Sequence, residues 1–249
     1  MIVAGNWKMN LSVNEAIELS NGLLKHKEIF VEEKIIIFPS FLIISEVYNI
    51  YKNSKVSIGA QDCSMYNNGA FTGQVSAKMI KDAGCKYVII GHSERRSLCN
   101  ETSSIVSQKA VKAVSAGLKV IICIGENSKD REKGDYLFVL EEQLKQSLPD
   151  ISIDSNLLSN NIIIAYEPVW AIGTGNTASK KDIEEVHKFI KEIISSNYQF
   201  NYDLPILYGG SVNSKNSSEI FKIKNVDGVL VGGASLKSDE FLKIIKNSM

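Results

Sequence analysis

The chain has 249 residues, 44% of them hydrophobic, and its 28 basic side chains balance its 28 acidic ones. This length suits one α/β barrel, which typically needs about 250 residues. A formally neutral chain has no overall charge to draw it to nucleic acid or to an acidic membrane surface, and its sequence contains no run approaching the roughly 20 apolar residues of a membrane span.

The amino terminus and the cysteines favour a cytoplasmic protein. The first residues, MIVAGNWKMN, lack the basic region and the long apolar region of a signal peptide. Cys63, Cys85, Cys99 and Cys123 form no Cys-x-x-Cys pair. Their scattered spacing indicates free thiols in a reducing compartment, rather than a disulfide framework or a zinc site.

Short runs rich in Ile and Val recur along the chain and predict strands. In chain order these are Ile2–Trp7, Lys34–Phe38, Val56–Ala60, Tyr87–Gly91, Val120–Ile124, Ile162–Tyr166, Ile206–Tyr208 and Gly228–Val231. Amphipathic stretches predict helices that include Asn14–Lys25, Thr102–Ala116, Asp135–Leu148, Lys180–Ser196 and Asp239–Lys246. Continuous β-branched runs are typical of strands covered on both faces, so the alternation predicts a parallel sheet wrapped by helices.

Eight such units fit a closed barrel, although an open doubly wound sheet shows the same alternation. The units extend from Ile2 to the helix at Asp239–Lys246, which leaves no residues for a second domain. No Gly-x-Gly-x-x-Gly follows the first strand, where a dinucleotide-binding sheet would place it. We therefore predict an α/β fold, a single-domain (β/α)8 barrel over residues 1–249.

Polar residues and Gly-Gly steps occur at the carboxyl ends of several predicted strands, and in a parallel barrel these strand ends carry the functional groups. They are Asn6, Lys8, His92, Glu94, Glu167, Gly209, Gly210, Ser211, Gly232 and Gly233. Glu167 can take a proton from carbon, and His92 can polarise a carbonyl group. Lys8 and the backbone of the Gly-Gly steps can hold a phosphate. The set predicts proton abstraction next to the carbonyl of a small phosphorylated compound.

Seven segments also carry a resemblance to a known family. They are GNWKMN (5–10), GAFTG (69–73), GHSERR (91–96), CIGE (123–126), AYEPVWAIGTG (165–175), YGGSV (208–212) and GVLVGGASL (228–236). In order and spacing they resemble the triosephosphate isomerase family over essentially the whole chain. The resemblance implies interconversion of dihydroxyacetone phosphate and glyceraldehyde 3-phosphate through an enediolate, in glycolysis and gluconeogenesis.

The resemblance also implies roles for individual residues. Glu167 corresponds to the catalytic base and His92 to a neutral electrophile. Lys8 stabilises the negative charge of the enediolate beside Asn6, and Glu94 contacts this lysine and assists proton movement. The donors to phosphate are expected to be Gly173, Ser211, Gly232 and Gly233, and the segment from Pro168 to Ala178 to be a flexible lid.

A homodimer is expected as well, because the family's loop at Asp62–Thr72 reaches into the neighbouring subunit. Gln74 departs from the family's usual glutamate, which pairs with the arginine matching Arg95 across the interface, so this dimer is expected to be weaker. Asn176 replaces a common lysine at the end of the lid. No ligand cluster or dinucleotide fingerprint occurs, so we expect no metal, nucleotide or organic cofactor.

Two other functions are compatible with a phosphate-binding barrel. An aldolase could use Lys8 as a Schiff base, but such a lysine needs desolvation or a neighbouring cation, and Glu94 would keep it charged. A barrel that only binds phosphorylated ligands has no need of both Glu167 and His92. Borohydride trapping and a coupled assay separate these alternatives.

Overall fold

A computed structural model describes residues 1–30, 34–149, 160–172, 177–197 and 203–249 of the chain. These residues contain the strands β1 (Ile2–Asn6), β2 (Ile35–Phe38), β3 (Val56–Ala60), β4 (Tyr87–Ile90), β5 (Lys119–Ile124), β6 (Ile162–Tyr166), β7 (Ile206–Tyr208) and β8 (Gly228–Val231). All the predicted strands are confirmed, and no end differs from its prediction by more than one residue.

The described helices lie between the strands and after the last one. They are α1 (Val13–Leu24), α2 (Ile44–Tyr51), α3 (Ala77–Asp82), α4 (Ser93–Leu98), α5 (Ser103–Ser115), α6 (Ser128–Lys133), α7 (Tyr136–Ser147), α8 (Lys180–Asn197), α9 (Ser217–Ile220) and α10 (Ser238–Asn247). Short 3₁₀ helices form at Lys27–Ile29, Phe41–Ile43, Val169–Ala171 and Gly233–Leu236.

Helix α1 shows how local sequence sets these boundaries. The Ser12 side chain accepts a hydrogen bond from the Glu15 N–H, and the Glu15 carboxylate accepts one from the Ser12 N–H. This reciprocal pair satisfies two N–H groups that the first turn of a helix leaves unbonded. The helix therefore begins at Val13, one residue before the predicted start.

The strands form a closed parallel barrel in sequence order. Strand β1 pairs with β2 on one side and with β8 on the other, with Val3 opposite Ile35 and Val229. Closure rules out the doubly wound sheet, whose edge strands would remain unpaired, and the predicted (β/α)8 barrel is confirmed.

Two buried clusters explain the continuous apolar strands. One fills the barrel interior with alternate strand residues, including Ala4, Ile36 and Ile121. The residues between them, including Val3 and Ile35, pack outward against the helices. Both faces of each strand are covered, so an alternating polar pattern would place polar groups in the core.

Parallel closure also brings the carboxyl ends of the strands together at one end of the barrel. This end carries the cavity described below. None of the described helices combines the length and the apolar character that crossing a membrane requires.

Candidate active site at the carboxyl end of the barrel

A cavity of about 340 Å³ lies at the carboxyl ends of the strands. Its lining includes the predicted site residues that the structure describes, namely Asn6, Lys8, His92, Glu94, Glu167, Ser211, Gly232 and Gly233. Gly173 and Asn176 lie outside the described residues. Residues that are far apart in sequence thus line one space, which has the size of a site for a small ligand.

The residues after β1 place a lysine in this cavity through an unusual backbone conformation. Lys8 has a φ of 52°, in the left-handed region that side chains other than glycine seldom adopt. The Asn6 carboxamide oxygen accepts from the Lys8 N–H at 3.0 Å, and the Gln61 side chain donates to the Lys8 carbonyl at 2.8 Å. Asn6 therefore helps to hold the lysine backbone in this strained turn.

The Lys8 ammonium group forms an ion pair with Glu94. Its Nζ lies 2.5 Å from Glu94 Oε1, and both side chains are partly exposed to the cavity. This contact joins the end of β1 to helix α4, as the family resemblance implies. A Schiff-base lysine would instead need a desolvated site or a neighbouring cation, and here the neighbour is a carboxylate.

His92 precedes α4, and its two ring nitrogens have different partners. Nδ1 accepts from the Glu94 N–H at 3.2 Å, and Nε2 lies 3.0 Å from Glu167 Oε1. A nitrogen that accepts an N–H carries no proton, so the proton belongs on Nε2, which faces the cavity. The main chain of Glu94, in the first turn of α4, thus holds the ring in this tautomer.

Glu167 follows β6 and is almost fully buried, with 1% of its surface exposed. Its Oε1 contacts His92 Nε2, and its Oε2 accepts from the Ser93 N–H at 2.9 Å. The main chain is fixed too, because the Glu167 N–H donates to Ile124 at 2.8 Å. Ser93 is a contact that residue types alone do not reveal, since the donor is a backbone group.

Burial and charge oppose each other at this pair. Burial raises the pKa of Glu167. Contacts with His92 and the Ser93 N–H and the charge of Lys8 lower it by more, so the pKa of Glu167 lies below its usual value. Burial lowers the pKa of His92, whereas the facing Glu167 and nearby Glu94 raise it above its usual value. The N–H donated by Glu94 to Nδ1 opposes that rise, because a protonated Nδ1 cannot accept it. The hydrogen bonds therefore indicate an ionised Glu167 that faces a neutral His92 with its proton on Nε2.

The segment after Glu167 is attached to a second buried carboxylate. Glu126 Oε1 accepts from the Trp170 indole at 2.8 Å and from the Tyr166 hydroxyl at 3.1 Å. Burial raises the pKa of Glu126, and these two hydrogen bonds counteract the rise. Both ends of the turn that begins the expected lid are therefore bonded to the residue two positions beyond the end of β5. The CIGE motif contains Glu126, but the motif alone does not show these partners.

The two Gly-Gly steps have different surroundings. At Gly209 a Cβ atom would lie 2.9 Å from Glu167 Cγ, and its N–H donates to the Tyr166 carbonyl at 2.7 Å. The Gly209 N–H is therefore already bonded within the barrel, and the missing side chain makes room for Glu167. At Gly233 a Cβ atom would meet nothing within 4 Å, so this backbone faces open space in the cavity.

Ser211 lies between these two steps and has a protein partner in this conformation. Its hydroxyl donates to the Ala171 carbonyl at 2.7 Å. The hydroxyl can donate only one hydrogen bond at a time, so binding of an anion through this donor requires Ala171 to release it. Ser211 thus links the β7 side of the cavity to the segment after Glu167.

A side chain that the sequence does not single out also reaches this region. Gln143 on α7 accepts from the Gly125 N–H at 2.9 Å and donates to the Gly125 carbonyl at 3.0 Å.

Among the described residues, no group of three or more His, Cys, Asp or Glu is placed to hold a metal ion. The expectation of no cofactor stays a prediction.

Comparisons with known proteins agree with one another. A family model described as triosephosphate isomerase matches residues 1–248. A triosephosphate isomerase from Lawsonia intracellularis is 46% identical over 98% of this chain and 97% of the relative, and one from Geotalea uraniireducens is 43% identical over 99% and 98%. A crystal structure of triosephosphate isomerase from Bartonella henselae superimposes with a TM-score of 0.88 at 38% identity, covering 99% of this chain and 98% of that one.

Proposed function

Because the chain belongs to the triosephosphate isomerase family, and so interconverts dihydroxyacetone phosphate and glyceraldehyde 3-phosphate, we propose that Glu167 is the base and His92 the electrophile of this reaction. The observation that carries the proposal is the direct contact between Glu167 Oε1 and His92 Nε2, which are 3.0 Å apart in the lining of the cavity. A carboxylate and a neutral N–H donor that face each other can act on adjacent atoms of one bound substrate.

The reaction then needs no other acid or base in its first half. The Glu167 carboxylate takes a proton from the carbon next to the carbonyl group, and the electrons move to the carbonyl oxygen. The Nε2–H of His92 donates to that oxygen and stabilises the enediolate. The proton of the adjacent hydroxyl group must then move to the former carbonyl oxygen, a transfer that we assign to His92, and return of the first proton from Glu167 to the neighbouring carbon completes the isomerisation. Bound substrate would lie between Glu167 and His92 in this proposal.

Lys8 supplies the positive charge in this proposal. Its ammonium group faces the same cavity, where it can stabilise both the bound anion and the developing enediolate. Asn6 holds the lysine turn, and Glu94 orients the ammonium group through the 2.5 Å ion pair. The contact with Glu94 argues against the aldolase alternative, which borohydride reduction in the presence of substrate would test by covalent trapping.

The phosphate group is proposed to lie against Ser211, Gly232 and Gly233, with Gly173 as a further donor. Support comes from the open space beside Gly233 and from the position of Gly232 next to Lys8 Cε, 3.5 Å from a Cβ built on that glycine. Closing the segment from Pro168 to Ala178 over the site would protect the enediolate from water. It would also require Ser211 to exchange Ala171 for phosphate.

We further propose one catalytic domain over residues 1–249, a cytoplasmic location and a homodimer. Met9, Leu42 and Leu98 are each at least 78% exposed, and a second copy of the chain would cover such side chains. The loop after β3 is ordered by stacking of Tyr66 on Phe71, with 3.8 Å between ring centroids. Light scattering at the assay concentration tests the dimer, and a fully active monomer would contradict it.

A coupled assay with glyceraldehyde 3-phosphate and with dihydroxyacetone phosphate tests the assigned site. We expect turnover in both directions for the unmodified chain and a severe loss for Glu167→Gln, which keeps the shape but removes the base. A folded Glu167→Gln variant with unchanged turnover would refute the role of Glu167. Binding of substrate without turnover by the unmodified chain would favour the non-catalytic barrel.

A further inference from the structure

The backbone of Gly125 is held by a single side chain. Strand β5 ends at Ile124, and the N–H and carbonyl of the next residue both bond to the Gln143 carboxamide, at 2.9 and 3.0 Å. An amide side chain that accepts from one N–H and donates to the carbonyl of the same residue copies the pairing of a neighbouring strand. Gln143 therefore extends the order of the sheet by one residue beyond β5.

Gly125 in turn lies directly against the main chain of the proposed base. A Cβ atom at Gly125 would be 1.8 Å from the Glu167 carbonyl oxygen and 3.3 Å from its Cβ. Such a distance shows that the two backbones are in contact, so an outward shift of Gly125 would remove one of the supports of Glu167. The next residue continues this support, because the Glu126 carbonyl accepts from the Val169 N–H at 3.1 Å.

On the side of Gly125 that faces α7, packing of the described side chains does not hold the backbone in place. A cavity of about 240 Å³ lies on this side, and Gly125, Gln143 and Glu167 all line it. The hydrogen bonds of Gln143 cross this region from α7, whose Leu140 and Leu144 are buried in the core. Helix α7 thus holds the residue after β5 through the two hydrogen bonds of Gln143, beside a cavity that the described side chains do not fill.

We propose that Gln143 is a positioning residue for isomerisation, which fixes Gly125 and through it the backbone of Glu167. The inference rests on the proposed role of Glu167 as the base. It assigns no contact between Gln143 and substrate, since Gln143 does not line the main cavity. Ser211, Gly232 and Gly233, which are proposed above to bind phosphate, lie after β7 and β8, so loss of Gln143 should affect proton transfer more than binding.

The first test replaces Gln143 by a residue of similar length without the amide. We expect Gln143→Met to lower kcat about ten- to a hundredfold, because an error near 1 Å in the position of a reacting group costs about that much. KM should change less than about threefold, as expected when only the transition state loses stabilisation. Gln146→Met is the matched control, since Gln146 is an exposed residue of the same helix that contacts only Glu142 among its described side-chain hydrogen bonds.

A kinetic isotope effect separates positioning from a general loss of structure. With substrate deuterated at the carbon that loses its proton, Gln143→Met should show a larger primary isotope effect than the unmodified enzyme, because proton abstraction becomes more rate-limiting. A variant that merely lowers the fraction of folded enzyme reduces kcat but leaves this ratio unchanged. Gln146→Met should change neither quantity.

Gln143→Glu provides a second variant that keeps the size of the side chain. Its carboxylate can still accept from the Gly125 N–H but would set an oxygen against the Gly125 carbonyl. Protonation restores the donor, so the ratio of variant to unmodified kcat should rise as pH falls. This variant decides the matter if Gln143→Met does not fold.

The outcomes distinguish this proposal from the proposed function. If folded Gln143 variants keep kcat, the isotope effect and a pH-independent activity ratio while Glu167→Gln is inactive, the positioning role is wrong and the base stands. If Glu167→Gln retains turnover, both proposals fail.

Discussion

Shortening the side chain of Glu167 by one methylene gives the most direct test of its distance from the reacting carbon. In Glu167→Asp the carboxylate withdraws by roughly 1 Å, while the backbone cannot follow it. The main chain is held by the hydrogen bond to Ile124 and by contact with Gly125. The contacts of 3.0 Å to His92 and 2.9 Å to the Ser93 N–H would lengthen beyond hydrogen-bond range.

The magnitude follows from this displacement. A misplacement near 1 Å costs about a hundredfold in rate, which corresponds to about 3 kcal/mol of transition-state stabilisation. The residues proposed to bind phosphate, Ser211, Gly232 and Gly233, are unchanged. We therefore expect kcat to fall by about a hundredfold or more with little change in KM, the pattern of an interaction made chiefly in the transition state.

Steady-state kinetics in both directions, with a coupling enzyme in excess, measures the two constants. Glu141→Asp is a suitable control, because Glu141 makes an ion pair with Lys145 on the outer helix α7 and has no contact with the cavity. Thermal unfolding of each variant checks that the fold is retained. A folded Glu167→Asp enzyme whose kcat stays within about twofold of the unmodified value would refute Glu167 as the base.

Three further predictions concern residues of the same structure. His92→Gln should lower kcat about a hundredfold in the coupled assay, because the Nε2–H that polarises the carbonyl is lost; an unchanged kcat would contradict this. Lys8→Met should raise KM as well as lower kcat, since its charge serves the bound anion before reaction, and a change in kcat alone would argue against contact with the ground state. Burial lowers the pKa of His187 to about 4; the unfolded chain binds this proton at higher pH, so stability should decrease as pH falls from about 6.5 to 4, by about 3 kcal/mol. Chemical denaturation measures the free energy of unfolding across this range. That free energy should depend less on pH in His187→Gln than in His26→Gln, a control at a partly exposed histidine. Equal slopes for the two variants would contradict the role of His187.

The strand pattern predicts the fold closely because the barrel covers both faces of every strand. Runs such as Ile162–Tyr166 have no polar interruption, and their ends coincide with those of β6. The small errors have local causes. Gly91 has a φ of 64° and therefore leaves β4, whereas Lys119 still pairs with Tyr87 although its side chain is exposed. Short helices such as α9 (Ser217–Ile220) have too few residues to show a helical period.

The site is predictable from sequence as far as it consists of side chains at strand ends. His92 and Glu167 are conspicuous there because a polar residue follows an apolar run. Their supports are not conspicuous, because the Ser93 N–H is a backbone group and Gln143 is one polar residue among several on α7. That Gln143 bonds Gly125 depends on where α7 packs on the barrel, which no local pattern in the sequence specifies.

The charges around Arg95 bear on the departure at Gln74. Arg95 Nε lies 2.6 Å from Glu101 and 3.0 Å from Asp62, and these two carboxylates also contact Lys109 at 2.5 and 2.7 Å. Two acids and two bases thus balance within one chain. The Gln74 side chain accepts from the Ser64 hydroxyl rather than carrying a charge. In the proposed dimer, an acid at position 74 would add a third carboxylate beside a cation that already has two. The neutral Gln74 avoids repulsion with Asp62 and Glu101. The proposed interface therefore lacks one ion pair, but Arg95 keeps both of its carboxylate partners within its own chain.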